Sequence, residues 1–234
     1  MLLLAIDTST TAIGVALHDG DAVVAEATTL DARAHAEHLA PNIQSVLTQA
    51  GAEPSDVTEV VVGIGPGPFT GLRVGIVSGR TFAFALGLPV HGLCSLDALA
   101  HDTWLGGHRG GLLVATDARR KEVYAAEFVL DDRGPTRVAG PVVSRAADLD
   151  ESWRELPVAG RGPLLYPADL ARPAVDGGEP SGIRPLPLDV SAGALADLAR
   201  RRLATGDALD GLEPLYLRRP DVATAPPTRK STLG

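Results

Sequence analysis

Over the first hundred residues apolar positions come in short dense runs separated by turn-forming residues, and the period of the pattern alternates between strand-like and helical. Leu2 to Ile6 reads as a buried strand and Ala12 to Leu17 as a second. Asp19-Gly20 or Gly20-Asp21 supplies a hairpin turn into a third, Ala22 to Thr28. Leu39, Ile43, Val46, Leu47 and Ala50 then recur at helical steps, with Gly51 placed to stop the helix. Pro41 must lie near the first turn of that helix or kink it, because it has no N–H to give. Val57 to Ile64 predicts a strand, Gly71 to Leu88 a helix, Val90 to Leu93 a short strand, and Ser95 the cap of a further helix. The predicted order is β-β-β-α-β-α-β-α.

A three-strand meander followed by alternating helices and strands is the pattern of the ribonuclease-H-like unit of sugar kinases, actin and heat-shock ATPases, which set two such units across a cleft. A second start is visible here. Leu112 to Ala115 and Glu122 to Leu130 read as strands around Asp117-Ala118-Arg119-Arg120-Lys121, and Arg137 to Val143 as a third. From Ala146 onward, Pro157, Pro163, Pro167, Pro173, Pro180, Pro185 and Pro187 interrupt every long pattern until a last helix from about Ser191 to Leu203. The expected fold class is α/β with two ribonuclease-H-like units, the second truncated. Residues 1–105 form the first unit, 106–218 the smaller second, and 219–234, with Ala225-Pro226-Pro227, a flexible tail.

The joint between the fourth strand and its helix is the most unusual stretch: Gly63-Ile64-Gly65-Pro66-Gly67-Pro68-Phe69-Thr70-Gly71-Leu72-Arg73. From Gly71 to Leu88 the only charges are Arg73 and Arg80, so the helix expects contacts on most sides. Gly67, Gly71, Gly75, Gly79, Ala83 and Gly87 fall at every fourth position and leave one face nearly bare backbone. Interior glycine costs about 1 kcal/mol relative to alanine, so another backbone must come close, either from this chain's own sheet and helices or from a partner chain.

Composition narrows the class. With 234 residues, 45% of them hydrophobic, the chain can hold one large domain or two small ones. Cys94 is the one cysteine, which excludes an intrachain disulfide and a multi-cysteine zinc site and suits a reducing compartment. The N-terminal apolar run lacks a basic region and stops at Asp7, too soon for a signal peptide, and no stretch approaches a membrane span; a cytoplasmic protein without membrane contact is expected. A net charge of −8 argues against this chain alone gripping a nucleic-acid backbone. Arg119-Arg120-Lys121, Arg200-Arg201-Arg202 and Arg218-Arg219 read as solvated faces or as contributions to a larger RNA-binding assembly.

Ala5-Ile6-Asp7-Thr8-Ser9, Arg33-Ala34-His35-Ala36-Glu37, the run from Gly65 to Arg73 and Pro214-Leu215-Tyr216-Leu217-Arg218 together resemble the TsaB (YeaZ) family. The likeness covers most of residues 1–105 and a short C-terminal signature, and the glycine-proline segment followed by Thr-Gly-Leu-Arg is its specific part. The resemblance implies a role in making threonylcarbamoyladenosine, the modified adenosine beside the anticodon of tRNAs reading codons that begin with A. In that pathway one enzyme makes threonylcarbamoyl-adenylate and TsaD transfers the group to tRNA. The family member is the non-catalytic partner that scaffolds and activates TsaD and helps recruit the small ATPase TsaE. The acidic balance of this chain predicts that it meets tRNA only through the complex. The apolar face meant for the partner should drive a homodimer when the partners are absent, since a two-fold dimer needs only a self-complementary surface. No cofactor is required of this chain by that likeness; ATP or ADP belongs, if anywhere, at a subunit boundary of the complex.

The resemblance also implies that the catalytic paralogue carries an HxxxH pair on the helix after the fifth strand, where this chain has Ser95 and Leu99. Neither replaces an imidazole, so no catalytic residue and no metal site is expected. His91 and His101 lie on different elements, and His35 and His38 with Glu37 suit a helix start or an interface better than a metal. Asp7, Thr8 and Ser9 in a strand-to-strand turn and Thr70 at a helix start form two phosphate half-sites, with a turn-forming or structural role as the alternative for Asp7. The second unit adds only Asp117 and Gly177-Gly178, too little for ATP turnover by the lone chain. A peptidase reading finds no Gly-x-Ser-x-Gly and no HExxH, only Cys94 near His91. The leading expectation is a binding subunit in which Leu39, Ile43, Gly71, Leu72, Gly75, Ile76, Gly79 and Phe82 meet the matching helices of TsaD in a four-helix interface.

Overall fold

The computed structural model describes residues 1–31, 34–170 and 184–218. Arg33, Pro173, Gly177-Gly178, Pro180 and the tail from 219 to 234 lie outside them. The chain begins with β1 (Leu3–Asp7), β2 (Ala12–His18) and β3 (Val23–Leu30), followed by α1 (His35–Ala50), β4 (Glu59–Gly63), α2 (Phe69–Leu86), β5 (Val90–Leu93) and α3 (Ser95–Leu105). The sheet runs β3-β2-β1-β4-β5, with β1 to β3 antiparallel and β4 and β5 parallel to β1. Every residue of β1 and β2 is buried because helices cover both faces of the sheet, whereas β3, an edge strand, alternates. Leu4, Ile6, Val15, Val60 and Val62 face α1 and α2, while Leu3, Ala5, Ala16 and Val61 face α3 and a helix from the far end of the chain.

The second sheet repeats the plan in reduced form. It contains β6 (Gly110–Asp117), β7 (Glu122–Asp131), β8 (Gly134–Arg145) and the short β9 (Val158–Ala159), ordered β8-β7-β6-β9 with only β9 parallel to β6. Its outer face is covered by Leu149, Trp153 and Leu170, set around the four-residue helices α4 (Glu151–Arg154) and α5 (Gly162–Leu165). Short proline-broken segments replace the long helices of the first unit, which is the truncation expected from the sequence. The last helix, α6 (Ala192–Thr205), crosses back to lie on β1 and β2 beside α3. Gly14 on β2 admits it: a Cβ there would come within 3.1 Å of the Ala192 Cβ. The two sheets therefore share one layer, α3 and α6, and one core.

Two local expectations shift. Pro41 sits in the second turn of α1, inside the helix, which begins six residues earlier at His35. Strand β4 starts at Glu59 and not at Val57, because Pro54–Asp56 forms a tight turn in which Glu53 and Asp56 cap each other's backbone.

The larger correction concerns the glycine stripe. At Gly71 a Cβ would stand 2.6 Å from the Thr8 carbonyl oxygen, at Gly75 it would run into the Thr8 hydroxyl, and at Gly79 into Val62. The backbone brought close to α2 is thus that of β1 and β4. Leu39, Gly71, Leu72, Gly75, Ile76 and Gly79, expected at a partner interface, are buried within the chain, and only Ile43 and Phe82 of that set reach solvent. Glycine is needed here for close helix-on-sheet packing.

Candidate functional site

The carboxyl end of β1 delivers Asp7 into the first unit's interior. Its Oδ1 accepts hydrogen bonds from the Ser9 N–H (2.8 Å) and the Ser9 hydroxyl (2.7 Å), and its Oδ2 accepts one from the Ser95 hydroxyl (2.6 Å). Gly63 on β4 leaves the space, since a side chain there would occupy the position of the Asp7 carboxylate. Burial raises the Asp7 pKa above the ordinary carboxylate value, opposed by the hydrogen bonds from Ser95 and Ser9. Ser95 also accepts from the Gly65 N–H at 3.1 Å, so one hydroxyl ties β1, the glycine-proline turn and α3 together. Thr8 is equally committed: its Oγ1 donates to the Gly71 carbonyl at 2.7 Å and accepts from the Gly75 N–H at 3.0 Å.

Between the units lies a cleft of about 290 Å³. One wall is the β1–β2 turn (Ser9, Thr10, Thr11) with the first residues of α1 and α2; the other is Thr116, Asp117 and Arg119 at the β6–β7 hairpin, with Arg161, Leu188 and Asp189. Each guanidinium has a carboxylate partner. Arg119 meets Asp117 at 3.0 Å, and Arg161 makes three hydrogen bonds to Asp189, the closest 2.6 Å, which raise its pKa. His35 Nε2–H donates to the Thr10 carbonyl across 3.2 Å at the cleft's edge.

The outward side of α2 is a second feature. Phe69, Val77 and Phe84 are 52%, 59% and 89% exposed, spaced so that they lie along one face with Arg73 and Arg80. A groove runs between this face and α1, floored by Leu39 and edged by Ala40, Ile43, Val74 and Val77. The C-terminal segment borders it. Asp210 exchanges backbone hydrogen bonds with Gly92 on β5, Leu215 N–H donates to the Ile64 carbonyl, and the Tyr216 ring stacks on Phe69 at 5.1 Å between centroids. Arg73 lies 3.8 Å over the Phe69 ring and donates to the Tyr216 hydroxyl, while Arg218 pairs with Glu122 of the second sheet.

Of the phosphate candidates, Asp7 and Thr8 are buried and spent on the chain's own groups, Ser9 touches the cleft while bonded to Asp7, and Thr70 stands exposed at its rim. The structural alternative for Asp7 is therefore the one observed. Ser95 holds Asp7, and Leu99 is fully buried in the shared core. His38 lies 3.8 Å from Asp31, His91 3.8 Å from Glu59, and His101 2.6 Å from Asp197, each in a separate place. Among the described residues no three His, Cys, Asp or Glu side chains are grouped to hold a metal. The Cys94 thiol is buried and pushed up to about 12 by that burial, so it offers no nucleophile to pair with His91. Sequence reading missed Phe69, Val77 and Phe84, whose spacing of eight and seven residues marks a helix face opposite the glycines. It also missed Thr116 and Arg161, whose place in the cleft depends on how the two sheets meet. No helix among the described residues is long and apolar enough to cross a membrane.

Two sheets of repeated order, with a cleft at the carboxyl ends of β1 and β6 and a shared helical layer, define an α/β protein of two ribonuclease-H-like units. A family model described as "TsaD: tRNA N6-adenosine threonylcarbamoyltransferase" matches residues 23–160, more than half of the chain. An uncharacterized protein of Mycobacterium tuberculosis strain H37Rv is 44% identical over 221 residues, 94% of this chain and 92% of its own length. The tRNA threonylcarbamoyladenosine biosynthesis protein TsaB of Escherichia coli K12 is 38% identical over 134 residues, 57% of this chain and 58% of its own. A crystal structure of a Pseudomonas aeruginosa protein described as similar to peptidase YEAZ superposes with a TM-score of 0.74 at 31% identity, covering 93% of this chain and 99% of that one. The chain belongs to the TsaB (YeaZ) family.

Proposed function

We propose that this chain is a non-catalytic subunit of the machinery that forms threonylcarbamoyladenosine in tRNA, and that it works by docking a TsaD-type catalytic partner on the outward face of α1 and α2. The observation that carries the reading is the line of exposed apolar side chains, Phe69, Val77 and Phe84, beside a groove already floored by Leu39. Soluble proteins seldom leave such a line uncovered along a helix, and burying it against a second helix pair returns about 25 cal/mol per Å² of apolar area. The inward glycines serve this face indirectly, by setting α2 close and rigid on the sheet. The internal commitments of Asp7 and Ser95 support the non-catalytic assignment, since neither has a group free to act on a substrate. In this reading the chain scaffolds and activates TsaD, helps recruit TsaE, meets tRNA through the complex in the cytoplasm, and pairs with itself when its partners are missing. ATP or ADP at the boundary with the partner belongs to the same proposal.

The test is the double variant Val77→Asp with Phe84→Asp. Light scattering on mixtures with the TsaD homologue should show the heteromeric complex lost, and the reconstituted system should modify tRNA at a small fraction of its normal rate, with the melting temperature of the isolated chain unchanged. Unaltered assembly would overturn the docking face. Modification of tRNA by this chain unaided would overturn the non-catalytic role.

A further inference from the structure

We propose that the docking face selects a partner helix that is acidic as well as apolar, through two unpaired arginines on α2, one of them fixed in place by the C-terminal segment. The inference rests on the docking reading above and adds the chemistry of the partner. Helix α2 carries no aspartate or glutamate. Its outward face presents Arg73 and Arg80 among Phe69, Val77 and Phe84, seven residues and so about 10 Å apart along the axis. Arg119, Arg161, Arg184 and Arg202 each meet an aspartate, whereas among the described residues neither Arg73 nor Arg80 is paired with a carboxylate. The groove beside Arg73 is lined by no acidic side chain among those residues. In a chain of net charge −8 such a face is an exception.

Arg73 is held rather than free to swing. Its guanidinium lies 3.8 Å over the Phe69 ring and its Nε–H donates to the Tyr216 hydroxyl at 3.2 Å, while Tyr216 stacks on Phe69. Tyr216 is carried there by a strap that leaves the end of α6 and is anchored at three points. Asp210 exchanges backbone hydrogen bonds with Gly92 and takes the Cys94 N–H on its carboxylate at 3.1 Å, Leu215 N–H donates to the Ile64 carbonyl, and Arg218 pairs with Glu122 on β7. Gly92 has to be glycine, since a Cβ there would run into the Gly211 carbonyl. Leu212 and Leu215 pack on the core of the first unit. The strap thus covers the open edge of β5 and delivers one aromatic ring to the start of α2.

With Nε engaged, the two terminal nitrogens of Arg73 remain for a carboxylate, which they can meet in the paired geometry that guanidinium favours. A cation already laid flat on a ring loses less freedom when a partner arrives. Covering this face with a purely apolar helix would bury both guanidinia unpaired, a heavy penalty, whereas a helix with carboxylates two turns apart answers both. A second copy of this chain answers neither. Its own α2 brings arginines and no acid to the contact, so like charge meets like, and self-pairing becomes the weaker use of the surface. The apolar side chains of Val77 and Phe84 beside the arginines favour a protein helix over a nucleic-acid backbone. Arg73 and Arg80 therefore set specificity, and Tyr216 is a positioning residue for Arg73.

The experiment is calorimetric titration of the intact chain with the TsaD homologue at about 0.05 M and about 0.5 M salt, the second screening charges beyond a few ångströms. The parent's affinity should fall about tenfold between the two. The double variant Arg73→Gln with Arg80→Gln should bind about tenfold more weakly at low salt and lose most of the salt dependence. Tyr216→Phe keeps the stacked ring and removes the hydroxyl; it should cost about threefold at low salt and almost nothing at high salt. All three chains should melt together by circular dichroism. Parent binding indifferent to salt, or glutamine variants that bind as the parent does, would overturn the acidic partner while the docking face stands, provided Val77→Asp with Phe84→Asp still abolishes the complex. If that aspartate pair leaves the complex intact, the docking face falls and this inference with it. Salt-sensitive binding of tRNA to the isolated chain, lost in the glutamine variant, would assign the arginines to nucleic acid and overturn the proposal.

Discussion

The hydroxyl of Ser95 donates to the buried carboxylate of Asp7 across 2.6 Å, joining residues 88 positions apart in the chain. Burial disfavours the charged carboxylate and this bond favours it. Ser95→Ala should therefore destabilise the chain by about 1.5–3 kcal/mol, the range for a hydrogen bond to a charged group. In the same variant the Asp7 carboxyl should titrate at higher pH, read by carbon-13 NMR of the side-chain carboxyl. An unchanged urea midpoint and an unchanged titration would show that the bond is not formed in solution.

Gly79→Ala drives a methyl into Val62, and Gly75→Val drives a larger group into the Thr8 hydroxyl. The first should cost about 1–3 kcal/mol and the second more, read as a fall in the urea midpoint. Since both glycines face the sheet, partner binding should weaken only as far as folding does. A Gly79→Ala chain that keeps its stability yet fails to bind its partner would place the stripe at the interface after all.

Asp197 on α6 accepts from buried His101 at 2.6 Å and from Arg201 at 2.9 Å, and the His101 hydrogen bond, more than any other contact, lowers its pKa from 3.8 to about 2. A carboxyl that ionises at lower pH when folded adds stability that is fully present above about pH 4 and is lost as pH falls toward 2. For this partly exposed group the contribution is about 1–2 kcal/mol after allowance for solvent screening. Asp197→Asn should show that loss at pH 7, and its deficit against the parent should shrink between pH 4 and pH 2. A deficit that stays constant over that window would exclude the pair as its source.

Cys94 is buried, with its sulfur accepting from Arg137, and its thiol is pushed up to about 12. A disulfide reagent at pH 8 should label it in denaturant and leave it almost untouched in the folded chain. Fast labelling of the native protein would show an opening that the packing of α3 does not predict.

Much of the fold was legible because period and punctuation agree along the chain. The continuous apolar runs of β1 and β2, the turn at Asp19 and Gly20, and the stop at Gly51 were enough to order the elements of the first unit, although α2 ends at Leu86, capped by Gly87, and not at Leu88. The repeated three-strand start from Leu112 gave the second sheet. The site was less legible. Gly71, Gly75 and Gly79 announce a close approach, but spacing alone leaves open whether the approaching group belongs to this chain or to a partner; Thr8 and Val62 against these glycines show that it is the chain's own.

By itself the sequence determined local conformation and the order of elements, because these depend on neighbours a few positions away: strand or helix from the period, ends from glycine and proline, a tight contact from small residues every fourth position. Tertiary structure alone decided what meets what over long separations. It set Ser95 on Asp7, turned the glycines inward and Phe84 outward, brought α6 back onto the first sheet, and placed Thr116 and Arg161 opposite two helix starts. Such pairings are fixed by how the two sheets share one buried helical layer, and no periodicity within either half of the chain carries that information.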